Sequence, residues 1–188
     1  QIMPTPETQA YLLEHVPSIN DPVTRAVAWM SIWEALLENE VPAEDLVNLI
    51  LRSIPAEANQ LNMSRLLNYL ETLYWRFLPS GMRAEYVEQI ENLLWSQLET
   101  ATNGSRTRMY FQTYRKIATT ELAIQRLLAV WRGEHVFTRF DLSSQDYTEL
   151  AQELAMRSDS GGEDILLEQR GRIENPDRLA EFDFSLPA

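Results

Sequence analysis

The stretch DPVTRAVAWMSIWEALLENEVPAEDLVNLILRSIPAE, residues 21–57, decides the fold of this chain. Its apolar residues recur every three or four positions, which predicts two amphipathic helices joined at Glu40-Val41-Pro42. The inward face predicted for the first helix consists of Val23, Ala26, Val27, Met30, Trp33 and Leu37, widened by Trp29, Ile32 and Leu36. The polar side of that helix consists of Arg25, Ser31, Glu34 and Glu38.

The second predicted helix repeats this pattern and ends at Pro55. Its inward positions are Leu46, Leu49, Ile50 and Ile54, and its outward positions are Glu44, Asp45, Asn48 and Arg52. A two-helix hairpin cannot cover its own apolar face, so it must pack against further helices. The hairpin therefore predicts a layered, all-helical body.

Helix-start signals recur along the rest of the chain. Asn20-Asp21-Pro22 and Asn175-Pro176-Asp177 each combine a capping side chain with a proline of the first turn. Ser143-Ser144-Gln145-Asp146 fits a capping box. A helix is also predicted over residues 60–77. The whole chain is predicted to contain about nine helices, and the helix–turn–helix unit recurs roughly every 35–45 residues.

These features predict an all-α fold over residues 1–188 as a single helical repeat domain. The short, numerous helices favour a HEAT-like or armadillo-like superhelix of antiparallel helix pairs. A compact up-and-down bundle is the alternative.

Composition narrows the possible partners. The net charge is −12, which argues against nucleic acid, since a nucleic-acid surface is basic. No apolar run approaches the roughly 18 residues of a membrane span, so no membrane partner is expected. The chain has no cysteine, and Lys116 is the only lysine among 16 basic residues. This composition fits a bacterial protein and leaves the cytoplasm and the periplasm or cell envelope open as compartments.

Three sequence features are reminiscent of catalytic or metal sites, but each lacks the context that such a site needs. His15 ends a weak first helix, which indicates a surface or capping role. Glu134-His135 fits the last pair of the zinc motif H-x-x-E-H, but position 131 is Trp, so the first ligand is missing. Asp159-Ser160-Gly161-Gly162 matches the nucleophile segment of chymotrypsin-like proteases, but it falls in a predicted loop between helices. We therefore predict no catalytic residue and no metal ligand in this chain.

One patch has the composition of a binding site, and it lies on a predicted helix over residues 106–118. Its members are Arg106, Arg108, Tyr110, Tyr114 and Arg115. Arginine and tyrosine together can hold a carboxylate or a peptide end, so these five are the candidate substrate-binding residues. The alternative is structural: the tyrosines pack in the core and the arginines pair with glutamates.

Landmark residues follow one another along nearly the whole chain in an order that resembles a known domain. They are Thr24-Arg25-Ala26-Val27-Ala28-Trp29, Trp33-Glu34, Leu46 to Leu51, Ile54-Pro55-Ala56-Glu57, Leu127-Leu128-Ala129-Val130-Trp131-Arg132-Gly133, Leu154-Ala155-Met156-Arg157 and Arg172-Ile173-Glu174-Asn175-Pro176-Asp177-Arg178. This order resembles the C-terminal helical domain of aminopeptidase N-type zinc metallopeptidases.

The resemblance implies a HEAT-like superhelix that caps a catalytic domain and encloses its substrate cavity. It implies a parent hydrolase that removes N-terminal residues from peptides, using water activated by one zinc ion. That ion is held in a thermolysin-like domain by H-E-x-x-H and a downstream Glu, and no position here matches them. No cofactor is thus expected in this chain, which would be part of a longer protein, and its expected partners are the catalytic domain and peptide substrates.

A free-standing helical-repeat scaffold that binds other proteins through its concave face remains the alternative function. The two interpretations differ in what precedes Gln1 in the reading frame. An upstream H-E-x-x-H indicates the enzyme, and an initiator Met immediately before Gln1 indicates the scaffold.

Overall fold

The computed structural model describes residues 5–157 and 161–185. Within these ranges the regular structure comprises ten α-helices and no β-strand, which confirms the predicted all-α class. The number of helices is slightly above the predicted nine. The chain divides into two compact units, Gln1–Gln97 and Leu98–Ala188. The superhelix and the single domain stay predictions.

In the first unit, short helical turns connect several of the helices. The α-helices are α1 (Pro6–His15), α2 (Pro22–Leu37), α3 (Ala43–Ser53), α4 (Gln60–Thr72) and α5 (Ser80–Thr100), the last of which crosses the division. Two 3₁₀ turns occupy Val16–Ser18 and Ile54–Ala56.

The second unit contains the remaining α-helices: α6 (Gly104–Ile117), α7 (Glu121–Trp131), α8 (Ser144–Arg157), α9 (Gly162–Arg172) and α10 (Pro176–Ser185). Its core includes an aromatic cluster under the segment between α7 and α8. The ring of Phe111 lies 5.6 Å from that of Phe137 and 5.8 Å from that of Phe140. Phe137 and Phe140 thus anchor the connection between α7 and α8.

The predicted helix starts are confirmed by their capping contacts. Asp21 accepts a hydrogen bond from the backbone N–H of Thr24 at 2.7 Å. Ser143 and Asp146 form the reciprocal bonds of a capping box, at 3.2 Å and 2.8 Å. The Asn175 side chain accepts from the backbone N–H groups of Asp177 and Arg178.

The predicted orientation of α2 is wrong for its main row, whereas Trp29, Ile32 and Leu36, which were predicted to widen the inward face, are buried. Four residues of its predicted inward face are exposed: Val23 (71%), Val27 (58%), Met30 (45%) and Leu37 (52%). The buried residues are Ala28, Trp29, Ile32, Ala35 and Leu36. We call Val23, Val27, Met30 and Leu37 the exposed α2 row.

The error has a physical cause in the composition of α2, since both of its sides are apolar. A period of 3.6 residues therefore fits two faces, and periodicity alone cannot choose between them. The buried face contains the small residues Ala28 and Ala35, which allow close approach, beside the larger Trp29 and Ile32. Trp33 lies between the faces and stacks on Tyr69 with ring centroids 4.1 Å apart.

The predicted orientation of α3 is confirmed. Its inward residues Leu46, Leu49 and Ile50, together with Ile54 just beyond it, are fully buried. All four outward positions named above are exposed. Only one face of α3 is apolar, so its periodicity allows only one orientation of the helix towards the core.

The turn between α2 and α3 depends on Asn39, whose φ of 59° lies in the left-handed region. Asparagine tolerates this conformation better than most residues. The turn brings the N–H groups of Glu40 and Val41 to the carbonyl of Ala35, at 2.8 Å and 3.3 Å. These bonds satisfy the end of α2 and close the hairpin.

The helix predicted over residues 60–77 changes type before its end. It is α-helical to Thr72 and continues as a π-helical turn over Leu73–Phe77. The N–H of Leu78 donates to the carbonyl of Leu73 at 2.9 Å, the i to i+5 bond of that turn. Pro79 follows, and a residue before proline disfavours the α-conformation, which accounts for the end of the element at this point.

Candidate functional site

The two tyrosines of the predicted arginine–tyrosine patch lie in the core of the second unit. Tyr110 is 1% exposed and Tyr114 is 0% exposed, on the inner face of α6. Burial raises the pKa of Tyr110, an effect that the charge of Arg106 partly opposes. Neither ring presents surface to a ligand, so these side chains act as packing residues in this structure.

Arg115 joins α6 to α8. Its side chain is 6% exposed and forms an ion pair with Glu149 and a longer one with Glu153, at 3.9 Å. The hydrogen bond from Arg115 holds the pKa of Glu149 below its ordinary value, although burial acts the other way. Burial raises the pKa of Glu153, and Arg115 and Arg157 only partly offset this. Arg115 is therefore engaged within the protein.

Arg108 makes a second contact between the same helices. Its guanidinium lies 3.3 Å from the carboxylate of Asp146 and 4.4 Å from the centroid of Phe140. Burial raises the pKa of Asp146, but hydrogen bonds from Ser143 and the charge of Arg108 outweigh it, so the net pKa is lowered. Arg106 is half-buried on the same helix. Substrate binding by this patch stays a prediction, with only Arg106 and Arg108 partly accessible.

The histidines and the protease-like segment lie in separate places. His15 packs against the ring of Tyr11, with centroids 4.4 Å apart. His135 lies 3.0 Å from a carboxylate oxygen of Glu99 and contacts Phe137. Of the protease-like segment, 159 and 160 lie outside the described residues, and Gly161 is the N-cap of α9 with a left-handed φ of 89°.

The first unit contains a buried ion pair that sequence analysis missed. Arg25 binds both carboxylate oxygens of Glu57 at 2.7 Å, and their side chains are 12% and 2% exposed. Burial raises the pKa of Glu57, but hydrogen bonds from Arg25 and the Asn59 N–H outweigh it and lower the pKa. Arg25 also donates to the carbonyl of Ile19. The pair thus joins α2 to the chain that follows α3.

A cleft of about 490 Å³ opens in the second unit, at the ends of four helices. Its lining residues are Trp131, Arg132, Gly133, Ser144, Gln145, Tyr147, Thr148, Gln169, Arg172, Ile173, Glu174, Asn175 and Arg178. We call it the arginine cleft, because three of its residues are arginine and only one is acidic. Sequence analysis missed it.

Buried hydrogen bonds hold the floor of the arginine cleft. The indole N–H of Trp131 donates to the side-chain oxygen of Gln169 at 2.9 Å. The amide nitrogen of Gln169 donates to the hydroxyl of Thr148 at 3.3 Å. Trp131 and Gln169 are 1% and 3% exposed. These bonds connect α7, α8 and α9 directly beneath the cleft.

The three arginines of the cleft differ in their contacts. Arg172 stacks 4.2 Å from the centroid of Trp131, donates to its carbonyl at 2.9 Å and pairs with Glu168 at 2.6 Å. Arg132 and Arg178 are exposed, and neither side chain forms an ion pair with any residue of 5–157 or 161–185. One cation is therefore fixed and two are available.

The described part of the chain has no group of three or more His, Cys, Asp or Glu side chains arranged to hold a metal ion. None of its described helices is both long and apolar enough to cross a membrane. Comparison of the chain with known family models and with curated proteins gives no match.

Proposed function

We propose that this chain is a non-catalytic helical domain of a zinc aminopeptidase, a hydrolase that removes N-terminal residues from peptides. In this proposal it encloses the substrate cavity and packs against the catalytic domain of the same protein. Two features support it: the all-helical fold, and the order of landmark residues from Arg25 to Arg178 that resembles such domains.

The exposed α2 row is the observation that carries the docking part of the proposal, the packing of this chain against another domain. Its four apolar residues follow spacings of four, three and seven positions, so they lie along one side of a single helix. A row of this kind is typical of a surface that another domain or protein covers. In this proposal α2 lies near the start of the helical domain, where a preceding domain of the same protein would be close.

The zinc ion of the proposed enzyme belongs to its catalytic domain. The two histidines here lie in different units, His15 near Glu14 and His135 near Glu99, and the described residues include no group of three or more His, Cys, Asp or Glu side chains that could hold a metal ion. Such donor sets do not fit a zinc site, which needs three or four ligands at one point. No step of peptide hydrolysis is assigned to these residues.

The first experiment addresses the parent protein. The reading frame upstream of Gln1 is sequenced, and the full-length product is assayed on aminoacyl p-nitroanilides with and without 1,10-phenanthroline. We expect an upstream H-E-x-x-H and hydrolysis that the chelator abolishes, while the chain alone has no activity. An initiator Met directly before Gln1, or hydrolysis that resists the chelator, overturns the proposal.

A second experiment tests the exposed α2 row. Since Val27 and Met30 are exposed, the double change Val27→Asp and Met30→Asp should leave the stability of the isolated chain within about 0.5 kcal/mol per site. In the full-length enzyme it should weaken domain packing and lower the melting temperature. The matched control is Leu122→Asp with Met156→Asp, two exposed apolar residues outside the row. Equal effects of both pairs in the full-length enzyme count against a docking role.

A third experiment tests the predicted substrate contacts. Arg106→Gln and Arg108→Gln together should raise KM for long peptides more than for dipeptides, because only long substrates would reach this domain. Arg76→Gln, an exposed arginine of the first unit, is the control. An unchanged KM across peptide lengths removes Arg106 and Arg108 from the site.

The alternative function is a scaffold that binds a separate protein, and the same exposed α2 row favours it. Its apolar side chains fit a partner helix as well as a domain of the same chain. The reading-frame experiment separates the two functions. If the scaffold is correct, Val27→Asp with Met30→Asp abolishes partner binding, and the control pair does not.

A further inference from the structure

The arginine cleft has the opposite charge balance from the chain that contains it. The whole chain has 28 acidic and 16 basic residues. The cleft is lined by three arginines and one acidic residue, Glu174. A concave surface of one charge sign raises the local concentration of ligands of the other sign. The cleft is therefore a place where an anion is favoured on an otherwise acidic protein.

The position of Arg178 is unfavourable for the fold alone. It lies in the first turn of α10, which begins at Pro176, and the positive end of the helix dipole disfavours a cation there. Among the described residues no carboxylate forms an ion pair with its guanidinium. The charge of Arg178 thus has no ion-pair partner among the described residues, and an anionic ligand would supply one.

Arg132 and the N-termini of two helices also favour an anion in the cleft. Arg132 follows the last residue of α7 and lines the cleft, and its guanidinium has no ion pair among the described residues. The first residue of α8, Ser144, also lines the cleft, as does Asn175, the cap of α10. Two helix N-termini thus border the cleft, and the positive ends of their dipoles favour an anion there.

Size and rigidity fit a small ligand. The volume of about 490 Å³ falls within the roughly 300–1,000 Å³ of small-molecule sites. The floor is preorganised, since Gln169 is hydrogen-bonded to Trp131 and Thr148, and Arg172 is stacked in place.

We propose that the arginine cleft binds the oxyanion, a phosphate or a carboxylate, of a small organic molecule or of a chain end. Arg132 and Arg178 supply the charge, and their planar guanidinium groups match either oxyanion through paired hydrogen bonds. This inference stands apart from the aminopeptidase proposal, because it rests on the second unit alone and holds for either function.

The test is a titration of the chain with inorganic phosphate and, separately, with acetate at constant ionic strength. Binding is followed by the ¹⁵N chemical shifts of the cleft residues. We expect dissociation constants of the order of millimolar for at least one probe. Binding of phosphate shows that the cleft accepts a phosphate group, and binding of acetate shows that it accepts a carboxylate.

Single and double variants locate the site. Arg132→Gln and Arg178→Gln should each weaken binding by about threefold or more, and the double variant by at least about tenfold, because charged hydrogen bonds are lost. Arg76→Gln removes one exposed charge outside the cleft and should change binding less than about twofold. All these arginines are exposed, so circular dichroism should show unchanged helix content.

Two outcomes overturn the proposal. One is the absence of shifts with either probe up to about 20 mM, well above the expected range. The other is binding that the double variant leaves intact, or that Arg76→Gln weakens equally, since the ions would then bind elsewhere or respond only to net charge.

Discussion

The first unit and the arginine cleft use the same residue in opposite ways. In the first unit, Arg25 is 12% exposed and binds both oxygens of Glu57, a carboxylate that is 2% exposed. In the cleft, Arg132 and Arg178 are exposed and form no ion pair with the described residues. Partners and burial, and not residue type, therefore separate an arginine that holds the fold from one that is available to a ligand.

The largest effect is expected when the buried pair is broken. Glu57→Gln leaves Arg25 without its counter-charge in a mostly buried position. The expected loss is about 3 kcal/mol in the free energy of unfolding, the cost of removing one partner of a buried pair. Urea denaturation of the isolated chain measures it. A loss below about 1 kcal/mol would show that the pair behaves like an exposed salt bridge.

A double variant separates the charge from the packing. Arg25→Met with Glu57→Leu replaces both partners by apolar groups and leaves no unpaired charge. The double variant should be closer in stability to the natural protein than the Glu57→Gln variant is, because an apolar replacement of a buried pair is often neutral. A double variant less stable than Glu57→Gln would contradict this account.

A smaller loss is expected on acidification. The pKa of Glu57 lies below its ordinary value of 4.5 in the folded protein, and those of Asp146 and Glu149 are also lowered. Their stabilisation is full above the unfolded pKa and disappears as pH falls through the folded pKa. Glu153 has a raised pKa and acts in the opposite direction. The urea concentration at the midpoint of unfolding should therefore decrease as the pH is lowered below about 4.5. The decrease should be less steep in Glu57→Gln, which lacks this carboxylate.

A loss of stability of intermediate size is expected at the start of α8. Ser143→Ala removes the hydroxyl that accepts from the N–H of Asp146 and donates to its carboxylate at 2.6 Å. Loss of an N-cap costs about 1 kcal/mol. Thermal melts of this variant and of Ser31→Ala, a serine inside α2, provide the comparison. An equal effect at both sites would argue against the cap.

The smallest effect is expected in the cleft. Arg132→Gln should change the free energy of unfolding by no more than about 0.5 kcal/mol, since the exposed side chain has no ion pair among the described residues. Urea denaturation beside Glu57→Gln gives the contrast directly. A loss above about 1 kcal/mol would place Arg132 with the structural arginines.

Sequence patterns predict the fold class well where a helix has one apolar face. The α3 pattern has one solution, and the structure confirms it at Leu46 and Ile50. The α2 pattern has two, and the choice depends on packing against neighbours that are distant in sequence. The π-helical turn at Leu73–Phe77 follows the same rule, because no local propensity distinguishes it from the preceding α-helix.

The candidate site shows a second limit. The predicted patch lies within one short segment of the sequence, residues 106–115, and its tyrosines are core residues. The arginine cleft draws its residues from positions 131 to 178, on four helices, and only tertiary packing brings them together. Its one local signal is Arg178 in a first turn, a position that is unfavourable for a cation.

The stacking of Arg172 on Trp131 gives the second unit an optical probe. The ring is 1% exposed and lies 4.2 Å from a guanidinium at the edge of the cleft. Its fluorescence should be blue-shifted, as for an indole shielded from water, and sensitive to any displacement of that cation. Occupancy of the cleft could then be followed by emission intensity, with Trp131→Phe as the blank that identifies its share among five tryptophans.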